Sequence, residues 1–340
     1  MKDLKLFRYI LRRALAVIPV LIGVTLLTFT LSHIVPGDPV RATLGPYPTP
    51  EAVEALKHKW GMDRPVSVQY LRYMRNLVKG DLGTSFQTNR AVIDDLREFF
   101  PATFELTVVS LLFTLLLGVP LGIVAATKRD KWIDHVTRVF SLTGVSMPIF
   151  WLGLILLLLF YFKLGLFPAG GRLSPRLSPP AGLTGLYFLD SLLTGNWPVF
   201  WSCLWHLFMP SLCLSFAIMG VISRMTRSSM LDVLNQDYIR TAEAKGLPQR
   251  LVIYKHALRN AMIPVITVVG VMFGRLIAGA VLTETIFSWP GMGLYTVQSI
   301  LYLDFQPIMG FTILVAFFYV SVNLITDILY GLFDPRVALE

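Results

Sequence analysis

Residues 224–260, RMTRSSMLDVLNQDYIRTAEAKGLPQRLVIYKHALRN, form the longest polar interruption in the apolar second half of this chain. Within it, MLDVLNQDYIRTAEAK places apolar residues at Met230, Val233, Leu234, Tyr238, Ala242 and Ala244, a helical recurrence with good helix formers between them. Gly246 suits a left-handed C-cap, and Pro248 fits the first turn of a second helix, LPQRLVIYKHALRN. The stretch therefore predicts an αα-hairpin between two membrane spans, strongly basic and on the positive side of the membrane. Two readings of it stand. It is a basic loop that only orients the protein, or a device that passes force from a cytosolic partner to the membrane part.

The rest of the chain supports the membrane setting. Of 340 residues, 54% are apolar and 15% charged, and the mean hydropathy is +0.63. Soluble domains carry about 25% charged residues, so the composition is that of an integral membrane protein. The net charge of +9 gathers in short loops between apolar runs. That pattern points to membrane orientation and anionic lipid rather than nucleic acid. Cys203 and Cys213 share one apolar stretch, about 15 Å apart along a helix, so they cannot pair and no disulfide framework exists.

Six spans follow in order. Lys2, Lys5, Arg8, Arg12 and Arg13 precede ALAVIPVLIGVTLLTFTLSHI, which is too long for a signal-peptide core and lacks a small-residue cleavage site. It reads as an uncleaved first span with its N-terminus inside. Residues 35–100 make the one sizeable extramembrane segment, with two helix-like runs among turns. At this length it forms a small cap and hardly an independent enzyme. Span two starts at Pro101, and Gly118, Pro120 and Gly122 predict a kink and close helix contact near its inner end. Span three covers about 139–162, an irregular external loop 163–200, and span four about 201–222. Span five, about 262–287, carries Gly270, Gly274 and Ala278 as a small-residue stripe. The loop 288–306 lacks Lys and Arg, as an external loop should, and span six runs about 307–332 before a short inner tail.

Catalytic signatures are absent. No Walker A, HExxH, CxxC or GxSxG pattern occurs, so ATP hydrolysis by a P-loop and the commonest zinc, redox and serine chemistries are not expected of this chain. Cys203, His206 and Cys213 fall on one face of span four, but the sulfurs are too far apart for one ion, and packing explains lone Cys and His residues better than a metal path. Arg275, mid-span, is the most costly ionisable residue in the bilayer. It either lines a path, where it could meet a peptide carboxylate, or pairs with another helix or subunit. Glu284 lies on the opposite face and about 13 Å away, so it is not Arg275's partner within the helix, and it is a second path candidate. Glu105 and Asp327 are expected near membrane edges, explained by snorkelling and capping.

YIRTAEAKG followed by HALRNAMIP resembles the EAA-loop of the permease subunits of ABC importers, in the version of the dipeptide, oligopeptide and nickel permeases. Ala242, Gly246 and Leu258 match the general pattern. Arg240 and Thr241 stand where it has Glu and Ala, and Arg259 where it has Pro, departures usual in the peptide branch. The run PGDP, GMDRPVSVQY and GDLGTSF resembles the external scoop of peptide permeases, and GVSMPIFW, TETIFSWPGMG and LFDPR extend the likeness to residue 336.

The resemblance implies an all-α type I importer permease fold. Its parts would be a first helix (1–34), a scoop (35–100), a permease domain (101–333) holding the coupling hairpin, and a tail (334–340). It implies a plasma-membrane protein with both termini cytoplasmic. Its partners would be a second related permease, two ATPase subunits that carry the ATP and Mg, and an external substrate-binding protein. No cofactor would bind this chain itself. Tyr238, Ala242, Glu243, Leu247 and Leu258 would make the ATPase contact, with Ala242, Leu247 and Leu258 docking into a groove and Gly246 making the turn. The implied cargo is a di- or oligopeptide, with nickel chelates, glutathione or oligosaccharides as alternatives in the same architecture. An ion-coupled secondary transporter, the rival of a different class, would need acidic residues near the midplane, where this chain has Arg.

Overall fold

The computed structural model describes residues 2–35, 40, 44, 45, 47–182 and 184–333, and side chains from 15 to 326 among them. The tail 334–340, the PGDP stretch at 36–39 and the side chains of the basic N-terminal residues and of Asp327 lie outside the described residues. The helices in order are α1 (Lys2–Ile34), α2 (Pro50–Trp60), α3 (Val66–Val78), α4 (Val92–Thr127), α5 (Trp132–Ser146), α6 (Ile149–Lys163), α7 (Tyr187–Leu193), α8 (Trp197–Leu234), α9 (Asp237–Ala244), α10 (Gln249–Ile286), α11 (Met292–Leu301) and α12 (Phe305–Phe333). Among the described residues there is no named strand.

Five helices are long and apolar enough to cross a membrane: α1, α4, α8, α10 and α12. The pair α5–α6, bent by 107° at Met147 and Pro148, makes a sixth candidate when taken as one broken span. The sequence predicts one continuous helix there. The break follows from proline chemistry, because Pro148 has no N–H and its ring pushes Met147 out of the helical region to ψ 125°.

Helix α8 is the axis of the bundle: 72% of its apolar window is buried, against 11% for α12. Glycines set its crossings. Gly122 of α4 lies against Thr226 and the Ser223 carbonyl, so a methyl there would clash with both. Gly144 of α5 lies under the Phe216 carbonyl, and Gly220 under that of Ser141. Without a hydrophobic force between helices in lipid, such close backbone approach is what holds them together. The predicted contact through Gly118 and Gly122 is thus to α8. Of the α10 stripe, Gly270 meets Thr326 and Gly274 meets Tyr319 of α12, while Ala278 is exposed.

The connections sort to two ends. At one end Ser85 bonds Asp304, Glu105 bonds Arg172, and Gly171 N–H donates to Phe287 O, so segments 79–91, 164–196 and 287–304 meet there. At the other end the 128–131 turn and the 235–249 hairpin tip come together around α4, α5 and α8. This alternation is the one expected of an even number of crossings.

The segment 35–100 holds α2 and α3, and its last nine residues are the opening turns of α4, which starts earlier than the sequence predicts. Helix α3 leans on α1 through Tyr70 Oη and Thr25 Oγ1 at 3.1 Å, with Phe29 and Tyr70 ring centroids 5.2 Å apart.

Candidate coupling site

The hairpin is shorter and more deeply rooted than its sequence pattern predicts. Met230–Leu234 belong to the end of α8, and residues from Gln249 run on into α10, leaving α9 as the one free-standing helix between them. Its end is a Schellman turn. Gly246 sits at φ +74° and donates to Glu243 O at 2.9 Å, and Leu247 N–H donates to Ala242 O at 3.4 Å. A Cβ at Gly246 would meet nothing within 4 Å among the described residues, so glycine is required here by conformation rather than by space.

The inner face of the hairpin is part of the protein's own core. Ile239 and Ala242 of α9 pack with Val252, Ala257 and Ala261 of α10, Met230 of α8, and Ile123 and Ala126 of α4. Leu247 and Leu258 close the edge of this cluster. A π-helical turn over Val252–Ala257 makes that possible, since its five-residue spacing lets Val252 and Ala257 both face inward. Ala242 is 7% exposed, so it seats the hairpin on α4 and is not available as a surface contact. Sequence reading missed Ile239, Val252, Ala257 and Ala261, although the apolar spacing of Ile239 and Ala242 carried part of the signal.

The outer face carries the rest. Tyr238 is 43% exposed and accepts from Asn260 Nδ2 at 2.8 Å, tying α9 to α10 across the hairpin. Glu243 is exposed and accepts from Gln249 Nε2 at 3.3 Å. Around them Arg240, Lys245, Arg250, Lys255 and Arg259 are all exposed, which leaves a basic face on a hairpin fixed from behind.

Glu284 is not on an open path. It is fully buried and accepts three hydrogen bonds, from Thr103 Oγ1 at 2.6 Å, Gly293 N–H at 2.7 Å and Leu294 N–H at 3.0 Å. The last two are orphan donors of the first turn of α11, so Glu284 caps that helix from α10. The glycines of SWPGMG follow from this. A Cβ on Gly291 would overlap the Glu284 carboxylate, and one on Gly293 would meet the Val281 backbone. Trp289 Nε1 donates to Ala102 O at 2.9 Å and completes the seal.

Glu105 lies at the end of the bundle, near the start of span two, but is buried and paired instead of snorkelling. Its Oε2 accepts from Arg172 Nε at 3.0 Å and Nη2 at 2.7 Å, and its Oε1 from Phe188 N–H at 2.6 Å. Both side chains are buried, and the Arg172 guanidinium lies 3.8 Å over the Tyr187 ring. Of the remaining candidates, His206 Nδ1 donates to Ser202 O at 2.7 Å and the Cys213 thiol points at Ile149 O at 3.4 Å, which accounts for both without an ion. Arg275 is exposed on α10 and has neither an ion pair nor a hydrogen bond among the described residues.

Residues 118–339 match the sequence family described as the binding-protein-dependent transport system inner membrane component, and residues 6–107 match the N-terminal family of the same systems. A probable D,D-dipeptide transport system permease from Escherichia coli (strain K12) is 49% identical, covering 96% of each chain. A dipeptide transport system permease from Alkalihalophilus pseudofirmus is 46% identical over 97% of this chain and 98% of its own. A glutathione transport system permease from Salmonella paratyphi A is 36% identical over 98% and 99%. The helical bundle, its alternating ends and these matches agree, and the chain belongs to the binding-protein-dependent inner membrane components, the multi-pass permease subunits of ABC importers.

Proposed function

We propose that this chain forms half of the pathway of an ATP-driven importer of dipeptides and receives the power stroke through the α9 hairpin. The observation that carries the coupling reading is the double character of that hairpin. Its inner face is continuous with α4, α8 and α10, and its outer face is basic and exposed among the described residues. A push on such an element moves three spans together as a rigid body instead of deforming a loop. The cargo reading rests on the relatives: those named for dipeptides are 44–49% identical, and the one named for glutathione is 36% identical.

In this reading the hairpin end is cytoplasmic, with both termini on that side. Two ATPase subunits, holding ATP and Mg, meet Tyr238, Glu243, Gly246 and the basic residues around them, while Leu247 and Leu258 stiffen the edge. A second, related permease completes the pathway. An external binding protein delivers the peptide to the end where 79–91, 164–196 and 287–304 meet. This chain supplies no ATPase site. Its work is mechanical: closure of the ATPases tilts α4, α8 and α10, and the Arg227–Asp134 pair carries the tilt to α5.

The test is uptake by liposomes holding the whole complex. Labelled dialanine should accumulate only with ATP on the hairpin side and binding protein on the other. Accumulation without either, or with glutathione alone, would contradict the reading.

A further inference from the structure

Arg275 stands at the middle of the fifth span, eleven residues before the end of α10 at Ile286, or about 16 Å. The other faces of α10 are occupied. Gly270 and Gly274 lie against α12, Leu276 and Ala280 pack with Leu106 of α4 and Leu207 of α8, and Ile286 meets Gly153 of α6. What remains is one stripe, Thr267, Val271, Arg275, Ala278, Leu282 and Thr285, with Arg275, Ala278, Leu282 and Thr285 exposed. Its make-up differs from the faces of α4 and α5 that point outward. The α4 face presents Leu112, Leu116 and Leu117, all apolar, and the α5 face, with Val136, Val139 and Leu142, keeps its exposed His135 and Arg138 in the first two turns, near the 128–131 end.

A guanidinium at that depth is not stable against acyl chains. It needs water or an anion, and among the described residues none pairs with it: Glu105 is held by Arg172, and Glu284 is spent on capping α11. The stripe's small and hydroxylated residues leave room around it. We propose that this stripe lines the translocation pathway and that Arg275 takes the terminal carboxylate of the passing peptide. This rests on the dipeptide reading above. A planar guanidinium binds a carboxylate through two parallel N–H bonds, which a bulkier or neutral cargo end could not match. The site would hold the C-terminal end of any short peptide while leaving its side chains unread, which suits a pathway that must release what it carries.

The experiment uses the complete complex in nanodiscs and liposomes with Arg275→Gln, Arg275→Lys and Arg275→Cys. Dialanine uptake should fall about tenfold or more in R275Q and by a smaller factor in R275K, which keeps the charge but loses the second parallel bond. In R275C, a charged, membrane-impermeant thiol reagent should modify residue 275, and dialanine with binding protein should slow that reaction. The native thiols Cys203 and Cys213 are buried and give little background. Wild-type uptake in R275Q, or an unreactive Cys at 275, overturns the assignment. An R275Q complex that no longer copurifies with the second permease, together with an unreactive Cys, shows a subunit ion pair and overturns it too. A wild-type complex that imports no dipeptide overturns the peptide reading and the carboxylate assignment together, whereas import by wild type with an indifferent R275Q overturns the assignment alone.

Discussion

Arg227 grips both oxygens of Asp134, Nε to Oδ1 and Nη2 to Oδ2, each at 2.7 Å. The pair joins α8, two turns before the hairpin, to the first turn of α5. Asp134 is fully buried and also accepts from the Asp130 N–H at 3.1 Å, so one carboxylate organises the whole 128–131 turn. Arg227 keeps partial contact with solvent, at 21% exposure, which limits the desolvation cost of holding the two charges together.

Replacing Asp134 with Ala should destabilise the subunit by about 2 kcal/mol, because a half-buried guanidinium loses its bidentate partner. Thermal unfolding of the purified protein in detergent reads this as a lower midpoint. Asp134→Asn keeps one acceptor and should lose less.

The Arg172–Glu105 pair makes a stronger case, since both partners are buried. Arg172→Met strands the Glu105 carboxylate in the bundle and should cost about 3–5 kcal/mol. Adding Glu105→Gln should return part of that. A double-mutant cycle on unfolding midpoints would show the coupling, and strict additivity of the two changes would contradict it.

Glu284→Ala removes three hydrogen bonds and leaves two α11 N–H groups and the Thr103 O–H without acceptors, while Thr103 Oγ1 still accepts from Met292 N–H. A loss of about 2–4 kcal/mol is expected, seen as reduced yield and earlier unfolding. The KM for dipeptide of whatever complex survives should be unchanged, which separates this residue from Arg275.

Asp304 latches the turn before α4, accepting from Ser85 Oγ and Phe86 N–H at 2.7 Å and from Gln87 N–H at 3.2 Å. Asp304→Ala should free residues 84–91 and speed tryptic cleavage after Arg90. Burial raises the Asp304 carboxyl above its ordinary value. A raised acid stabilises the fold most when protonated, so its contribution to fold stability should be fullest at low pH and be lost as pH rises through that raised value, although the three hydrogen bonds themselves favour the ionised form. All three donors meet the same oxygen, Oδ2, so protonation at Oδ1 leaves them in place.

Much of this was legible in the residues. The even number of crossings follows from where Lys and Arg gather, and the turn at Gly246 from a glycine set between a helical run and Pro248. What stayed hidden depends on distant partners. Glu105 meets an arginine 67 residues away, in a Pro- and Gly-rich stretch whose local signals say only that it is irregular. Glu284 reads as a path residue until α11 is known, and α11 lies in a loop without Lys or Arg and without a strong helix start. Ala242 points inward because the π turn at Val252–Ala257 and the end of α4 lie behind it, and neither can be inferred from spacing within α9. Pro148 was in plain view, but its effect on span three depended on whether neighbouring helices would satisfy the break.

The central claim is coupling through the hairpin, and Gly246 isolates it. No atom of the described residues lies within 4 Å of a Cβ placed there, so the internal cost of a side chain is strain of about 1 kcal/mol in the left-handed region. Asn tolerates that region, whereas Asp adds charge to the exposed face. The decisive measurement is ATP hydrolysis by the reconstituted complex, with binding protein and with or without dialanine, for wild type, Gly246→Asn and Gly246→Asp. Stimulation by loaded binding protein in wild type, largely kept in G246N and lost in G246D while the ATPases remain bound or fall away, is the predicted result. Full stimulation in G246D would contradict the coupling role of the hairpin.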